Sequence, residues 1–221
     1  MLDAIFVPRG VEHGAVRRGL AGRTGIAVHA TSAGASAAVE VDAVLERRAN
    51  CGSGLERALI AGLCGALDPA FKPGDALVYV SIRNAAGATI ESDPALSAAI
   101  ARAVPSAQSG IRGLEVDRVI TRASEKQAIA ARSGTQAVDM ESYAVAERLH
   151  AAGVAFAVVR CVSDGADVDL PDLRGAFGPN GVVAGAFARA ILSAPLSSVR
   201  LISGGIRGLR SLRRAIGRLR P

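Results

Sequence analysis

Short aliphatic runs alternate along this chain with Ala-rich stretches of helical length, and a Gly or Pro marks most of the junctions. Strands separated by helices are not joined by tight hairpins; they enter a mostly parallel sheet with helices packed on its faces. The pattern predicts strands over 4–8, 26–30, 58–62, 76–82, 116–121, 137–140 and 154–160. It predicts helices over 35–48, 94–103, 125–133, 142–152 and 181–192. The expected fold is therefore α/β, a single domain over 1–194 with a central mixed, mostly parallel sheet flanked by helices, followed by a basic amphipathic helical tail over 195–221. With 221 residues, 50% of them hydrophobic, the chain fills one substantial core and not two. Five Phe, two Tyr and no Trp make that core aliphatic.

Cys51, Cys64 and Cys161 are odd in number and lack CxxC spacing, which argues against both a disulfide framework and a zinc site and for a reducing, cytoplasmic compartment. The apolar start is interrupted by Pro8 and Arg9 before it reaches the length of a signal-peptide core, and no stretch reaches membrane-spanning length. The formal charge of +6 is unevenly placed: residues 197–221 hold seven Arg and no acid, and removing those seven leaves about −1 for the rest.

Two segments carry chemistry. In 136–167 a short buried strand leads to Glu141 and Ser142, then a helix ended by Gly153, then the apolar strand 154–160. If both strands lie parallel in one sheet, Glu141 and Asp164 each follow a strand's carboxyl end, the edge at which open α/β sheets bind ligands. Helix capping by Glu141 is the alternative. In 62–75 a strand runs into a Gly-containing loop, where Cys64 and Gly65 permit close backbone approach, and a Pro-Gly-Asp turn leads into the next strand. Tight turning alone also accounts for such a loop. Walker A, complete GxGxxG, HExxH and GxSxG patterns are all missing, which removes the usual support for triphosphate, dinucleotide, zinc-protease and serine-esterase functions.

The string Ala137-Val-Asp-Met-Glu-Ser-Tyr-Ala-Val-Ala146, followed by Phe156-Ala-Val-Val-Arg-Cys-Val-Ser-Asp-Gly-Ala-Asp167, resembles the paired signature of the purine nucleoside phosphorylase and methylthioadenosine/adenosylhomocysteine nucleosidase superfamily. The loop over 62–75 resembles its third landmark, and order and spacing agree over roughly residues 1–194. The Val-Asp-Met-Glu-Ser form and the Arg-rich extension resemble the hopanoid-associated phosphorylase branch, which implies adenosylhopane as substrate.

The resemblance implies that Glu141 holds the ribose hydroxyls with Met140 on the sugar, a role suited to a carboxylate that accepts two hydrogen bonds from a vicinal diol. It implies that Asp164 acts as general acid at a purine ring nitrogen, positioned by Ser163. Burial and the negative Glu141 would help Asp164 keep a proton. Arg160 resembles the superfamily's polar support residue, with a structural salt bridge as the alternative. Glu12 matches the glutamate that activates water in the nucleosidases, with a solvent-exposed turn as the alternative; His13 beside it reads as exposed, and His29 and His150 as packing or surface residues. Ile60 and Leu63 stand where similar phosphorylases have an Arg and a Ser, which favours hydrolysis, while Arg9 keeps phosphorolysis as the second reading. Over 121–126 an aromatic residue of the nucleosidases is replaced by Arg122, Ala123 and Ser124, so backbone contacts near Ala123 take the place of stacking. Neither a metal nor an organic cofactor is expected, and the resemblance implies a homodimer or larger assembly. A purine-nucleoside sensor that binds without cleaving is the non-enzymatic alternative.

In the tail, Ile202, Ile206, Leu209, Leu212, Ile216 and Leu219 recur at helical spacing opposite arginines, the composition of helices that lie on anionic membranes. Four glycines, at about 1 kcal/mol each against Ala, make an isolated helix weak. Packing on the domain and nucleic-acid binding are the alternatives, and the lack of interleaved aromatics ranks nucleic acid last.

Overall fold

The computed structural model describes residues 2–23, 25–34, 36–178 and 181–219. Its elements run β1 (Ala4–Pro8), α1 (Val11–Gly19), β2 (Ala27–Thr31), α2 (Ser36–Asn50), β3 (Arg57–Ala66), β4 (Ala76–Arg83), β5 (Thr89–Glu91), α3 (Pro94–Ala103) and β6 (Ala107–Glu115). There follow α4 (Ala123–Ser133), β7 (Ala137–Asp139), α5 (Ser142–Ala151), β8 (Ala155–Asp164), the short pair β9 (Phe177–Gly178) and β10 (Gly181–Val182), α6 (Ala184–Ser193) and α7 (Pro195–Arg218).

The main sheet is mixed and mostly parallel, as expected: β1 pairs β2 and β3, β3 pairs β8, and β6 pairs β4 and β7 in parallel, while β7 on β3, β5 on β4 and β8 on β4 are antiparallel. Its order is β2-β1-β3-β7-β6-β4-β5, and β8 pairs both β3 and β4, so β3, β8, β4, β6 and β7 close into a ring. Aliphatic clusters fill both sides of the sheet, one around Phe6, Ile60, Tyr79 and Leu149 and one around Ile5, Leu59, Val159 and Ile216.

Several elements differ from the sequence pattern. Residues 116–121 are not a strand: Val116 and Ile120 pack with Leu67, Leu114 and Ile129, and Val119 packs with Leu170 and Leu173, so their apolar character serves two satellite clusters beneath a loop. The strand in this region is β6, whose pattern is broken by Gly110 at φ +82 and by Gly113, which accommodates the Tyr79 ring. The turn expected after β1 is the helix α1, begun at Gly10 with φ +96. The last domain helix starts at Ala184 rather than 181, behind the β9–β10 pair, and position 35, the expected start of α2, lies outside the described residues. β7 and β8 flank β3 in opposite directions, so the condition of two parallel strands is not met.

The tail forms α7, with Pro195 at its first turn, where a missing N–H costs nothing. It is not a detached helix: it lies along β8 and α1. Its glycines make that approach possible, since a Cβ on Gly208 would stand 2.9 Å from Leu63 Cδ2 and 3.0 Å from the Val162 carbonyl oxygen, and one on Gly204 would overlap that of Ser163. Leu212 and Ile216 are buried, and the Arg23 guanidinium donates to the carbonyls of Gly217 and Leu219, capping the helix end. Position 220, one of the seven arginines, lies outside the described residues.

Candidate active site

The site is organised by β3 and β8. Their register sets Gly62 opposite Arg160 and, after a shift between Cys64 and Gly65, Gly65 opposite Asp164. A Cβ on Gly62 would fall inside the Arg160 guanidinium and 3.0 Å from Glu12 Oε1; one on Gly65 would lie 3.0 Å from Asp164 Oδ2. These glycines lie within β3 rather than in a loop, and the groups they admit are the site's own side chains.

Arg160 is fully buried. Its Nη1 donates to Glu141 Oε1 at 2.5 Å and to the Leu63 carbonyl at 3.3 Å, and its Nε and Nη2 donate to Ser142 Oγ at 3.0 and 2.7 Å. Asp139 stands 3.5 Å from the same guanidinium. Asp139, not Glu141, caps α5: its Oδ1 accepts from the amides of Glu141 at 3.1 Å and Ser142 at 2.8 Å, and its Oδ2 accepts from Ser142 Oγ. That frees the Glu141 carboxylate to turn inward, so the capping alternative is not realised.

Glu12, on the first turn of α1, also turns inward rather than into solvent. Its Oε1 accepts from the Leu63 amide at 2.6 Å, and burial together with the charge of Glu141 pushes its carboxyl up to about 7. Burial likewise raises Glu141, against the pull of Arg160. Behind them Glu115 accepts from the Ala144 amide at 2.9 Å, and burial, helped by Asp139 and Glu141, pushes it up to about 7. Cys64 and Cys161 are buried thiols raised by desolvation, Cys161 to about 12, and so are poor nucleophiles.

At the other end Ser163 Oγ lies 2.6 Å from Asp164 Oδ1 and 3.1 Å from the Cys64 carbonyl oxygen. The group paired with Asp164 is the ammonium of Lys126 rather than Glu141; it donates to Asp164 Oδ2 and, at 2.7 Å, to the Gly165 carbonyl. The Ala123 amide is taken by Asp169 Oδ1 at 2.8 Å, and Arg122 pairs with the same carboxylate at 3.2 Å. The Met140 carbonyl accepts from Gly34 at 2.8 Å, which joins the β2–α2 loop to the site. Arg9, the cation held in reserve for phosphate, instead pairs with Glu40 at 2.6 Å, and Glu40 also accepts from the Ser32 amide and hydroxyl. His29 stacks on Phe6 with ring centroids 5.3 Å apart, and His150 is exposed.

One buried guanidinium among three carboxylates, beside a Ser-Asp pair at the end of a strand, sits on a sequence that matches the phosphorylase superfamily over residues 7–196. The chain belongs to that superfamily. Its fold is shared with the 5′-methylthioadenosine/S-adenosylhomocysteine nucleosidase of S. pneumoniae, at TM-score 0.70 and 15% identity over 98% of this chain and 99% of that one. The enzyme of that name from Neisseria meningitidis, in complex with methylthio-immucillin-A, aligns at TM-score 0.67 and 17% identity over 98% of each chain. A mutant of the Helicobacter pylori nucleosidase with 5′-methylthioadenosine in its active site aligns at 0.66 and 16%, again over 98% of each. At these identities the likeness is one of fold. No match is found among curated proteins.

Within this superfamily frame the sequence-expected residues Glu12, Glu141, Arg160, Ser163 and Asp164 converge, with Cys64 and Gly65 between them. Ala123 is turned to Asp169 instead. Sequence reasoning missed Lys126, Asp139, Ser142 and Glu115. The Asp-x-x-Ser spacing of 139–142 is a helix-start signal that was present. Lys126 had none in its local sequence: it is one of two lysines among 26 basic residues, and its partner Asp164 is 38 residues away.

Proposed function

We propose that the protein is a purine nucleosidase that hydrolyses the N-ribosyl bond of a 5′-substituted adenosine and releases adenine. The observation that carries this reading is the charge of the sugar end, where Asp139, Glu141 and Glu12 share one guanidinium. Cleavage of an N-ribosyl bond places positive charge on the ribose, and preorganised carboxylates lower the energy of that state. A phosphate dianion entering the same space meets repulsion, and Arg9 is already neutralised by Glu40. The side chains divide the chemistry between them. Glu141 holds the ribose hydroxyls with Met140 against the sugar, Asp164 with Ser163 addresses the purine ring nitrogen, and Glu12 removes a proton from the attacking water. Arg160 opposes the rise that burial imposes on Glu141 and aims it.

The 5′ substituent we assign is a hopane, which makes adenosylhopane the substrate and hopanoid lipid synthesis the setting. Support comes from the Val-Asp-Met-Glu-Ser string and from the outer face of α6 and α7. There Leu192, Leu196, Val199, Ile202 and Ile206 are 81, 82, 66, 46 and 43% exposed, beside the exposed Arg200, Arg207 and Arg210. An apolar row edged by arginines suits an anionic membrane surface, and on the opposite face Gly204 and Gly208 pack against Ser163 and Leu63 of the site. The working unit in this reading is a homodimer.

Incubation with adenosine and 5′-alkyl-extended adenosines, with and without phosphate, tests the reaction by adenine release beside Asp164→Asn. Phosphate-independent release that collapses in the variant is expected; strict phosphate dependence would establish phosphorolysis instead, and no release from folded protein would favour a sensor. Cosedimentation with anionic vesicles, lost in Leu196→Asp/Val199→Asp, tests the surface, and sedimentation velocity tests the dimer.

A further inference from the structure

Lys126 is fully buried, and its ammonium lies on the one carboxylate that addresses the purine. We propose that Lys126 is a positioning residue that supplies the leaving-group proton through Asp164. The inference rests on the nucleosidase reading above and goes beyond it, because that reading leaves the source of the proton open.

The geometry has the form of a relay. Ser163 Oγ fixes Asp164 Oδ1 at 2.6 Å, while Lys126, rising from the first turn of α4, contacts Oδ2 and is steadied by the Gly165 carbonyl at 2.7 Å. Gly65 leaves the space in which this oxygen sits. As the bond between C1′ and the purine nitrogen breaks, its electron pair goes to the purine. A purine ring nitrogen takes a proton from Asp164, and Asp164 takes one from Lys126 Nζ. The ammonium becomes an amine, Asp164 remains a carboxylate, the purine leaves neutral and the ribosyl cation faces Glu12 and Glu141. Water then adds to C1′ and gives its proton to Glu12; after the products depart Glu12 releases that proton to solvent and solvent returns one to Lys126. An arginine would carry the same charge but does not release a proton in proteins. In a chain with 24 arginines and two lysines, a lysine at this buried position fits the relay.

The test compares two substrates with the same 5′-alkylthio-ribose, one carrying adenine and one carrying 4-nitrophenol, which departs as a phenolate without needing a proton. Wild type, Lys126→Met and Lys126→Arg are assayed after circular dichroism has shown each to be folded. For the adenine substrate, kcat is expected to fall about 100-fold or more in both variants with little change in KM, the scale of general acid catalysis. The deficit relative to wild type should narrow as pH is lowered, because solvent can then protonate Asp164 in place of Lys126. The nitrophenyl substrate should be spared within a few-fold. Restoration of adenine release by Lys126→Arg would overturn the relay, since charge alone would then suffice, as would equal loss on both substrates. If one variant does not fold, the other carries the substrate comparison. The solvent isotope effect on the wild type needs no variant: it should be larger for the adenine substrate, and equal effects count against the relay. Wild type that cleaves while both variants match it refutes the relay alone. Wild type that releases no adenine refutes the nucleosidase reading and the relay with it.

Discussion

At the Arg160 end of the site three carboxylates share one guanidinium, whereas at the Lys126 end one carboxylate meets one ammonium. The first arrangement holds more negative charge than its one cation balances; burial raises Glu12 and Glu141, and the neighbouring carboxylates add to the rise. The second is balanced, so a proton can move within it without changing its net charge. The proposed hydrolysis, which leaves the cation on the sugar side and the proton on the base side, uses this difference between the ends. The contrast also separates what each end tolerates: the first depends on keeping its single cation, the second on sub-ångström placement.

Loss of that cation should have the largest effect. Arg160→Met leaves Glu141 and Asp139 buried without their partner, and breaking one side of a buried pair costs about 3–5 kcal/mol. Urea denaturation at pH 8 should show a loss of that order, and adding Glu141→Gln should recover part of it. An Arg160→Met protein as stable as wild type would mean that the carboxylates are already neutral, and the contrast would collapse.

Glu12→Gln comes next, with a fall in kcat of about 10²–10⁴ if Glu12 is the base. The base works only when ionised, and its carboxyl is pushed up to about 7, so wild-type kcat/KM should fall roughly tenfold per pH unit below that value. The variant should lack this limb. Stability moves in the opposite direction. Between the ordinary 4.5 and about 7 the folded chain holds a proton that the unfolded chain has released, so stability drops as pH rises through that window and stays lower above it. Glu12→Gln should therefore gain in Tm over wild type at pH 8 and match it near pH 4.

Backbone crowding at the balanced end is expected to have a smaller, kinetic effect. A methyl on Gly65 would sit 3.0 Å from Asp164 Oδ2 and 3.3 Å from Val138 Cγ1, so the carboxylate must move by a few tenths of an ångström. Gly65→Ala should lower kcat about tenfold with little change in stability, since catalytic groups are sensitive to displacements below 1 Å. Gly62→Ala, whose methyl falls on the fully buried guanidinium, should instead cost about 1–3 kcal/mol by overpacking. If both variants behave alike, the two ends do not differ in tolerance.

How far the sequence could be read follows the same division between local and distant contacts. Helix α3 spans 94–103 as expected, because Pro94 follows an Asp93 side chain that accepts from the Leu96 amide. Gly153 ends its helix at φ +70, a conformation glycine adopts without strain. β6 was hidden because its buried apolar residues are few, chiefly Ile111 and Leu114, and glycine interrupts their alternation. Among the site residues, Glu141 and Asp164 were legible from their motif, and Glu12 from its position after β1. Lys126 was not, since its partner is 38 residues away and only the closed β3–β8–β4–β6–β7 ring brings the two together. The tail's glycines read as helix weakeners, yet two of them let α7 approach β8; their cost is local and their benefit lies across the fold.

The smallest expected effect tests how far the crowding of the sugar end extends. Glu115 is pushed up to about 7, chiefly by burial, although it keeps the hydrogen bond from the Ala144 amide. A raised carboxyl destabilises the fold once the unfolded chain has ionised, so the penalty sets in between 4.5 and about 7 and persists at higher pH. Glu115→Gln retains an acceptor for the Ala144 amide and removes the charge. It should stabilise the protein by about 1 kcal/mol at pH 8 and by nothing measurable near pH 4. Because Glu115 stands behind Asp139 and Glu141, kcat should fall only a few-fold. A larger loss of kcat would move Glu115 into the group that stabilises the ribosyl cation. An absent gain at pH 8 would confine the crowding to Arg160 and its immediate partners.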